Sequence, residues 1–252
     1  MPAWFDTNID ERFEAFSNSH IVLLLLFISG IVGLFLSYRI LLSYQLLQQL
    51  VRWGLFSILL MAEITHTLWG IANGSWSMED HAPLHLCGLG SILSMIALVT
   101  YNRKLIQFLY FAAILPALIT LITPEVFYSF PHFRFMKFFL HHMALVWTGI
   151  FLLLMTTTPI TIRVLGQMFF LLNGYAAIIF FLNGQIGTNY LFLASTPDVT
   201  TPLDMLGDGV WYYIHLELFC FGLFVFMYFL YKAVSAIHSK KSSHTDALLN
   251  ET

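Results

Sequence analysis

Long apolar runs separated by short polar segments fill the chain from residue 20 to residue 231. A helix that crosses a bilayer needs about 20 mostly apolar residues. Seven runs reach or approach that length: 20–42, 50–71, 84–100, 105–122, 135–156, 160–182 and 210–231. In hydrocarbon each segment must satisfy its own backbone hydrogen bonds, which a helix does and an irregular segment does not. The pattern therefore predicts an all-α, polytopic integral membrane protein with about seven transmembrane helices. The third and fourth runs are short and meet through Tyr101-Asn102-Arg103-Lys104, and Pro116 is expected to kink the fourth. The organisation expected is an outer N-terminal segment (1–19), a membrane domain (20–231) and a tail (232–252). The tail is polar, with Ser239, Lys240, Lys241, Ser242 and Ser243, and is expected to be disordered.

Composition strengthens this reading. Hydrophobic residues make up 58% of the chain and charged residues 10%, against roughly 25% charged in soluble domains. A net charge of −3 with no basic patch gives no reason to expect a nucleic-acid partner. A secretory signal opens on a basic stretch. Here Asp6, Asp10, Glu11 and Glu14 surround a single Arg12, so the first run reads as a retained span. Orientation follows from the loops. One alternating set of segments holds Arg39, Arg52, Arg103, Lys104, Arg163, Lys232, Lys240 and Lys241, and the other holds Arg12, Arg134 and Lys137. Basic residues accumulate on the inner side, which places the N-terminus outside and the C-terminus inside.

That orientation turns sequence position into depth. Glu63 and His66 fall in the outer half of the second span, and His85 and Cys87 at the outer mouth of the third. His141 and His142 lie about two turns into the fifth, and His215 and Glu217 likewise into the seventh. Ionisable groups at membrane depth are costly and point by default to function, and these eight are expected to share one layer. Glu63 and His66 are three apart and share a helix face, so they could bond each other, bond a neighbouring helix or act directly. His215 and Glu217 are two apart and point apart. Cys87 sits in the first turn of its helix, where the macrodipole favours a thiolate. His141 or His142 is expected to complete a thiol–imidazole pair, and His85 is the poorer partner. Cys220, among Phe219, Phe221 and Phe224, reads as packing. In the long loop before the last span, Asn189 could orient a histidine, donate to an oxyanion or cap a turn.

Zinc, iron or bis-histidine haem compete on chemistry alone. Glu63-x-x-His66 is not repeated along the chain, and no metal and no cofactor is expected.

The segments Pro83-Leu84-His85-Leu86-Cys87, His141-His142, and Asn189-Tyr190-Leu191-Phe192-Leu193 followed by Pro197 and Trp211-Tyr212 carry a resemblance. In this order the chain resembles the YwaF-type family of bacterial integral membrane proteins and its relatives, the transmembrane ether-phospholipid acyltransferases. Bacterial members have Trp-Pro-Trp-Tyr before the last span, where this chain has Val210-Trp211-Tyr212 after Asp208-Gly209. The resemblance implies acyl transfer in a membrane, with Cys87 carrying a thioester and a histidine of the fifth span as base. It also implies a bacterial plasma membrane. The expected function is therefore a membrane lipid acyltransferase or lipid hydrolase, with membrane phospholipid as partner. Cys87, His141 and His142 are its candidate catalytic residues. His85, Glu63, His66, Asn189, His215 and Glu217 are candidate supporting or binding residues. The rival expectation is a non-enzymatic transporter, channel or ligand-binding protein whose polar layer holds a ligand, a proton or a metal.

Overall fold

A computed structural model describes residues 4–7, 12–196 and 201–250, with the side chains of 202 and 236–250 left aside. Among the described residues there is no strand, and seven helical spans are long and apolar enough to cross a membrane. The spans are α1 (Asn18–Ser43), α2 (Gln45–Ala72), a third made of the short α3 (Met78–His81) and α4 (Leu86–Thr100), and a fourth made of α5 (Arg103–Leu109), a π-helical turn (Tyr110–Ile114) and α6 (Leu115–Ile122). They continue with α7 (Phe133–Met155), α8 (Ile162–Ile186) and α9 (Gly209–Asn250), of which Gly209–Ser235 is the apolar part. The predicted runs differ from these by a few residues at most ends, chiefly where helices continue into polar sequence.

Local chemistry sets the boundaries. The Asn102 side chain accepts from the amides of Lys104 and Leu105 and opens α5, and the Thr161 hydroxyl accepts from Val164 and opens α8. Gly187, left-handed at φ +68°, closes α8. Arg52 lies at the C-terminus of α4, where helix carbonyls lack partners. Its Nε donates to Leu98 (2.6 Å) and its Nη2 to Val99 (2.9 Å), with the guanidinium 4.5 Å over the Tyr101 ring. Pro116 sits in the first turn of α6, just past the π turn. The expected kink is thus a widened turn, which accommodates a residue that lacks an amide hydrogen and crowds the preceding carbonyl.

The bundle is not uniformly packed. α7 and the fourth span are the most enclosed, while α1 and α9 present most of their surface outward. α7 packs against α1, α2, α4 and α6, and Phe135, Phe139, Met143, Phe151 and Leu152 on it are almost fully buried. His20 ties α1 to this core. Its Nδ1 accepts from the Phe16 amide (2.9 Å) and its Nε2 donates to the Leu121 carbonyl (2.8 Å). At one end of the bundle the C-terminus of α2 meets the N-termini of α4 and α7, so side chains from three helices converge there.

Candidate active site

The start of α4 is shaped by four residues around Cys87. His85 is the N-cap, with extended backbone (φ −68°, ψ 154°), so Leu86 and Cys87 are the first two helical positions. The Leu89 amide bonds the His85 carbonyl (3.0 Å), which leaves the amides of Leu86, Cys87 and Gly88 ahead of the first helical bond. The Leu84 carbonyl accepts from the Tyr175 hydroxyl (2.6 Å). Gly88 lies so close to Pro83 that a Cβ would come within 2.7 Å of its Cα. Because backbone cannot yield as a side chain can, Gly88→Ala is expected to destabilise the protein by about 1–3 kcal/mol. A drop in the midpoint of thermal unfolding in detergent checks this, and an unchanged midpoint would show that the turn relaxes freely. Cys87 itself is partly buried, and both cysteines are free.

Against this helix start lie α2 and α7. His141 Nε2 is 3.2 Å from Glu63 Oε1, a close contact without hydrogen-bond alignment. The fully buried Ser91, one turn beyond Cys87 on α4, faces the same carboxylate. Glu63 Oε1, His141 Nε2 and Ser91 Oγ are all buried without a hydrogen-bond partner. Native interiors leave only a few such atoms, and three gathered at one carboxylate make this cluster a candidate for function as well as packing. Lys137, one turn before His141, completes the group. Its electrostatic neighbours are Glu63, Arg134 and Cys87. His142 faces away from this exchange: its Nδ1 donates to the Phe138 carbonyl (2.7 Å), and its ring packs 4.4 Å from that of Phe138.

One turn nearer the end of the bundle is a second polar layer. Arg134 Nη1 donates to His66 Nε2 (2.8 Å), and its guanidinium lies 5.0 Å over the Trp69 ring. Arginine can only donate, so the His66 proton sits on Nδ1. His66 stacks on His81 at 4.4 Å, and the Ser77 amide donates to His81 Nδ1 (3.3 Å). The His81 ring occupies the space over Gly70, where a Cβ would meet its Nε2 at 2.2 Å. His132 caps α7 by accepting from the Arg134 amide at Nδ1 (3.1 Å) and donates from Nε2 to the Asp6 carbonyl (3.1 Å). Burial holds its pKa below the ordinary imidazole value, which suits a ring that must accept at one nitrogen.

The sequence-derived candidates divide. Glu63 and His141 come together. His66 joins Arg134 rather than Glu63, although the two share a helix face. Among the described residues the Cys87 thiol makes no hydrogen bond to His141 or His142, and the charged groups that act on it are Lys137 and Glu63. His85 is not helical, so the opposite-face argument against it does not apply. It accepts from the Leu191 amide (3.4 Å) and packs on Tyr190 and Phe192, which seats the 187–196 loop over the start of α4. Asn189 is a loop cap. Its Oδ1 accepts from the amides of Ala194 and Ser195, and its own amide donates to Glu79 (2.9 Å). Tyr190 is fully buried and its hydroxyl donates to the Met78 carbonyl; burial raises the phenol pKa and keeps it a donor. His215 and Glu217 stand apart, both exposed on α9, and His215 donates to the Leu206 carbonyl (2.7 Å). Pro197 lies outside the described residues. Sequence reasoning passed over Lys137, Arg134, His81 and Ser91. The spacing 134, 137, 141 places three of the site's groups on one face of α7 and was the available signal.

Two clefts open elsewhere. One of about 910 Å³ lies by the N-terminus of α1, lined by Arg12, Ser17, Asn18, Val22, Phe130 and Met136 among others. One of about 440 Å³ lies at the opposite end, lined by Gln48, Tyr101, Arg103 and Thr157 among others. Neither is lined by Cys87, Glu63 or His141. No group of three or more metal-ligating side chains converges among the described residues.

Seven apolar helices around a polar cluster at one end define an integral, multi-span membrane protein. The profile of the TMEM164 family matches residues 15–228, which takes in six spans, most of the seventh and every candidate site residue, and the chain belongs to that family. Neither a curated relative nor a solved structure matches it.

Proposed function

We propose that this protein transfers acyl groups between membrane lipids at the outer leaflet, with Cys87 as the acyl carrier. The observation that carries the reading is the position of Cys87. It is the second residue of a helix, with unbonded amides beside it, and Lys137 and Glu63 are the charged groups that act on it. The resemblance to the YwaF-type proteins and the ether-phospholipid acyltransferases supports the same assignment, and charge asymmetry supports the outer leaflet.

In the first half-reaction the Cys87 sulfur attacks the ester carbonyl of a phospholipid and its proton passes to the Glu63–His141 pair. The amides of Leu86, Cys87 and Gly88 hold the oxyanion. The carbon–oxygen bond then breaks, the departing lysolipid alkoxide takes the proton, and a thioester remains on Cys87. In the second half-reaction His141 removes the proton of an acceptor hydroxyl, which attacks the thioester and returns the thiol. Water as acceptor makes the same site a lipase.

The test is to incubate the purified protein with a phospholipid of defined chains and no acceptor, then measure its intact mass. One added acyl group, located on Cys87 and released by hydroxylamine, is the expected result. An unmodified Cys87 in a preparation that turns over would end the covalent scheme.

A further inference from the structure

α7 begins with two cations where a helix tolerates them least. Arg134 and Lys137 occupy its second and fifth positions, and no Asp or Glu lies in its first turn. The macrodipole adds about half a positive charge at this same end. Both side chains are partly buried. Among the described residues neither has a carboxylate within ion-pair distance, and the pair that exists, His141–Glu63, leaves them out. The carboxylate acting on Lys137 is Glu63, already in contact with His141. The carboxylate acting on Arg134 is that of Asp80, which is exposed and accepts the Ser77 hydroxyl (2.9 Å).

Gathering like charges out of water is unfavourable unless an anion joins them. The structure fixes Arg134 regardless. Trp69 lies beneath the guanidinium and His66 holds Nη1, while Nε and Nη2 have no acceptor among the described residues. A planar cation with free donors on one edge, one helical turn from an ammonium, matches a phosphate group, which takes a bidentate bond from the first and a point charge from the second.

We propose that Arg134 and Lys137 form a subsite for a phosphate-type anion beside Cys87. It would hold the phosphate of a lipid headgroup or of a soluble phosphate ester. The assignment stands on the charge arrangement and does not require that Cys87 be acylated.

Calorimetric titration of the full chain in an uncharged detergent tests it. The probes are a short-chain phosphatidylcholine, the diacylglycerol with the same chains, and glycerol 3-phosphate. The phosphatidylcholine, glycerol 3-phosphate or both are expected to bind at least about tenfold more tightly than the diacylglycerol. That preference should disappear in Lys137→Gln and in Arg134→Gln and be only partly kept in Arg134→Lys, which retains the charge and loses the fork. Because Arg134 also holds His66, Lys137→Gln decides the matter if Arg134→Gln does not fold. Binding of glycerol 3-phosphate as tight as that of the lipid assigns the site to a soluble ester, and binding of the lipid alone assigns it to a headgroup. A wild-type protein indifferent to phosphate, or a Lys137→Gln protein that keeps the full preference, overturns the proposal.

Discussion

A Cys87→Ala variant is expected to lose acyl transfer by roughly 10³-fold or more while remaining folded. The thiol is partly buried and makes no hydrogen bond among the described residues, so removing its sulfur leaves a small packing defect and no orphaned partner. The loss would then fall on the chemical step. Cys220→Ala is the matched control: Cys220 is also partly buried, on α9, and packs against the core away from Glu63 and His141. The measurement is kcat/KM for a phospholipid with a fluorescent acyl chain, with a thermal unfolding midpoint for each variant. A Cys87→Ala enzyme with undiminished kcat/KM would mean that the acyl group passes directly between lipids.

Glu63→Gln and His141→Gln are each expected to lower the rate by about 10²- to 10⁴-fold, the span usual for losing a positioned acid or base. Both substitutions keep the side chain nearly the same size, so the contact between α2 and α7 survives and the change is one of charge and proton capacity. The informative quantity is the double variant. If carboxylate and imidazole work as one proton-handling pair, the double variant should be scarcely slower than the worse single one. Multiplying losses would show that they serve separate steps. His142→Gln is expected to do less to the rate, since that ring is committed to the Phe138 carbonyl on its own helix.

The seven spans were legible in the sequence and direction around the helix axis was not. Counting residues from the span ends placed Glu63, Cys87, His141 and His215 at a common level, because rise per residue is a local property of a helix. Whether a residue at that level faces neighbours or lipid depends on which helices adjoin. Thus His141 meets Glu63 within the bundle, while His215 and Glu217 are both exposed on α9. Glu63 and His66 pair with a neighbouring helix rather than with each other for a related reason. Both occupy one face of α2, but α7 offers each a separate partner, His141 for the first and Arg134 for the second. Arg134 and Lys137 were read only as loop charges that report orientation. Their three- and four-residue spacing to His141 carried the second message, that they belong to the same face. His85 illustrates a boundary effect: one residue's difference in where α4 starts moves it from helix to cap and removes the geometric objection to it.

The π-helical turn at Tyr110–Ile114 is, in effect, a spare residue wound into the fourth span. It lets the two halves of that span keep independent phases. The Tyr110 hydroxyl reaches the Met227 carbonyl at 2.7 Å and Phe111 stacks on Phe224 at 4.9 Å, while a few residues on, Ala117 and Leu121 of α6 lie in the buried core. A lineage that shed one residue here would regain an ordinary helix and rotate everything beyond it by about 100°, turning those side chains toward lipid. Length in this stretch is therefore under tighter constraint than identity.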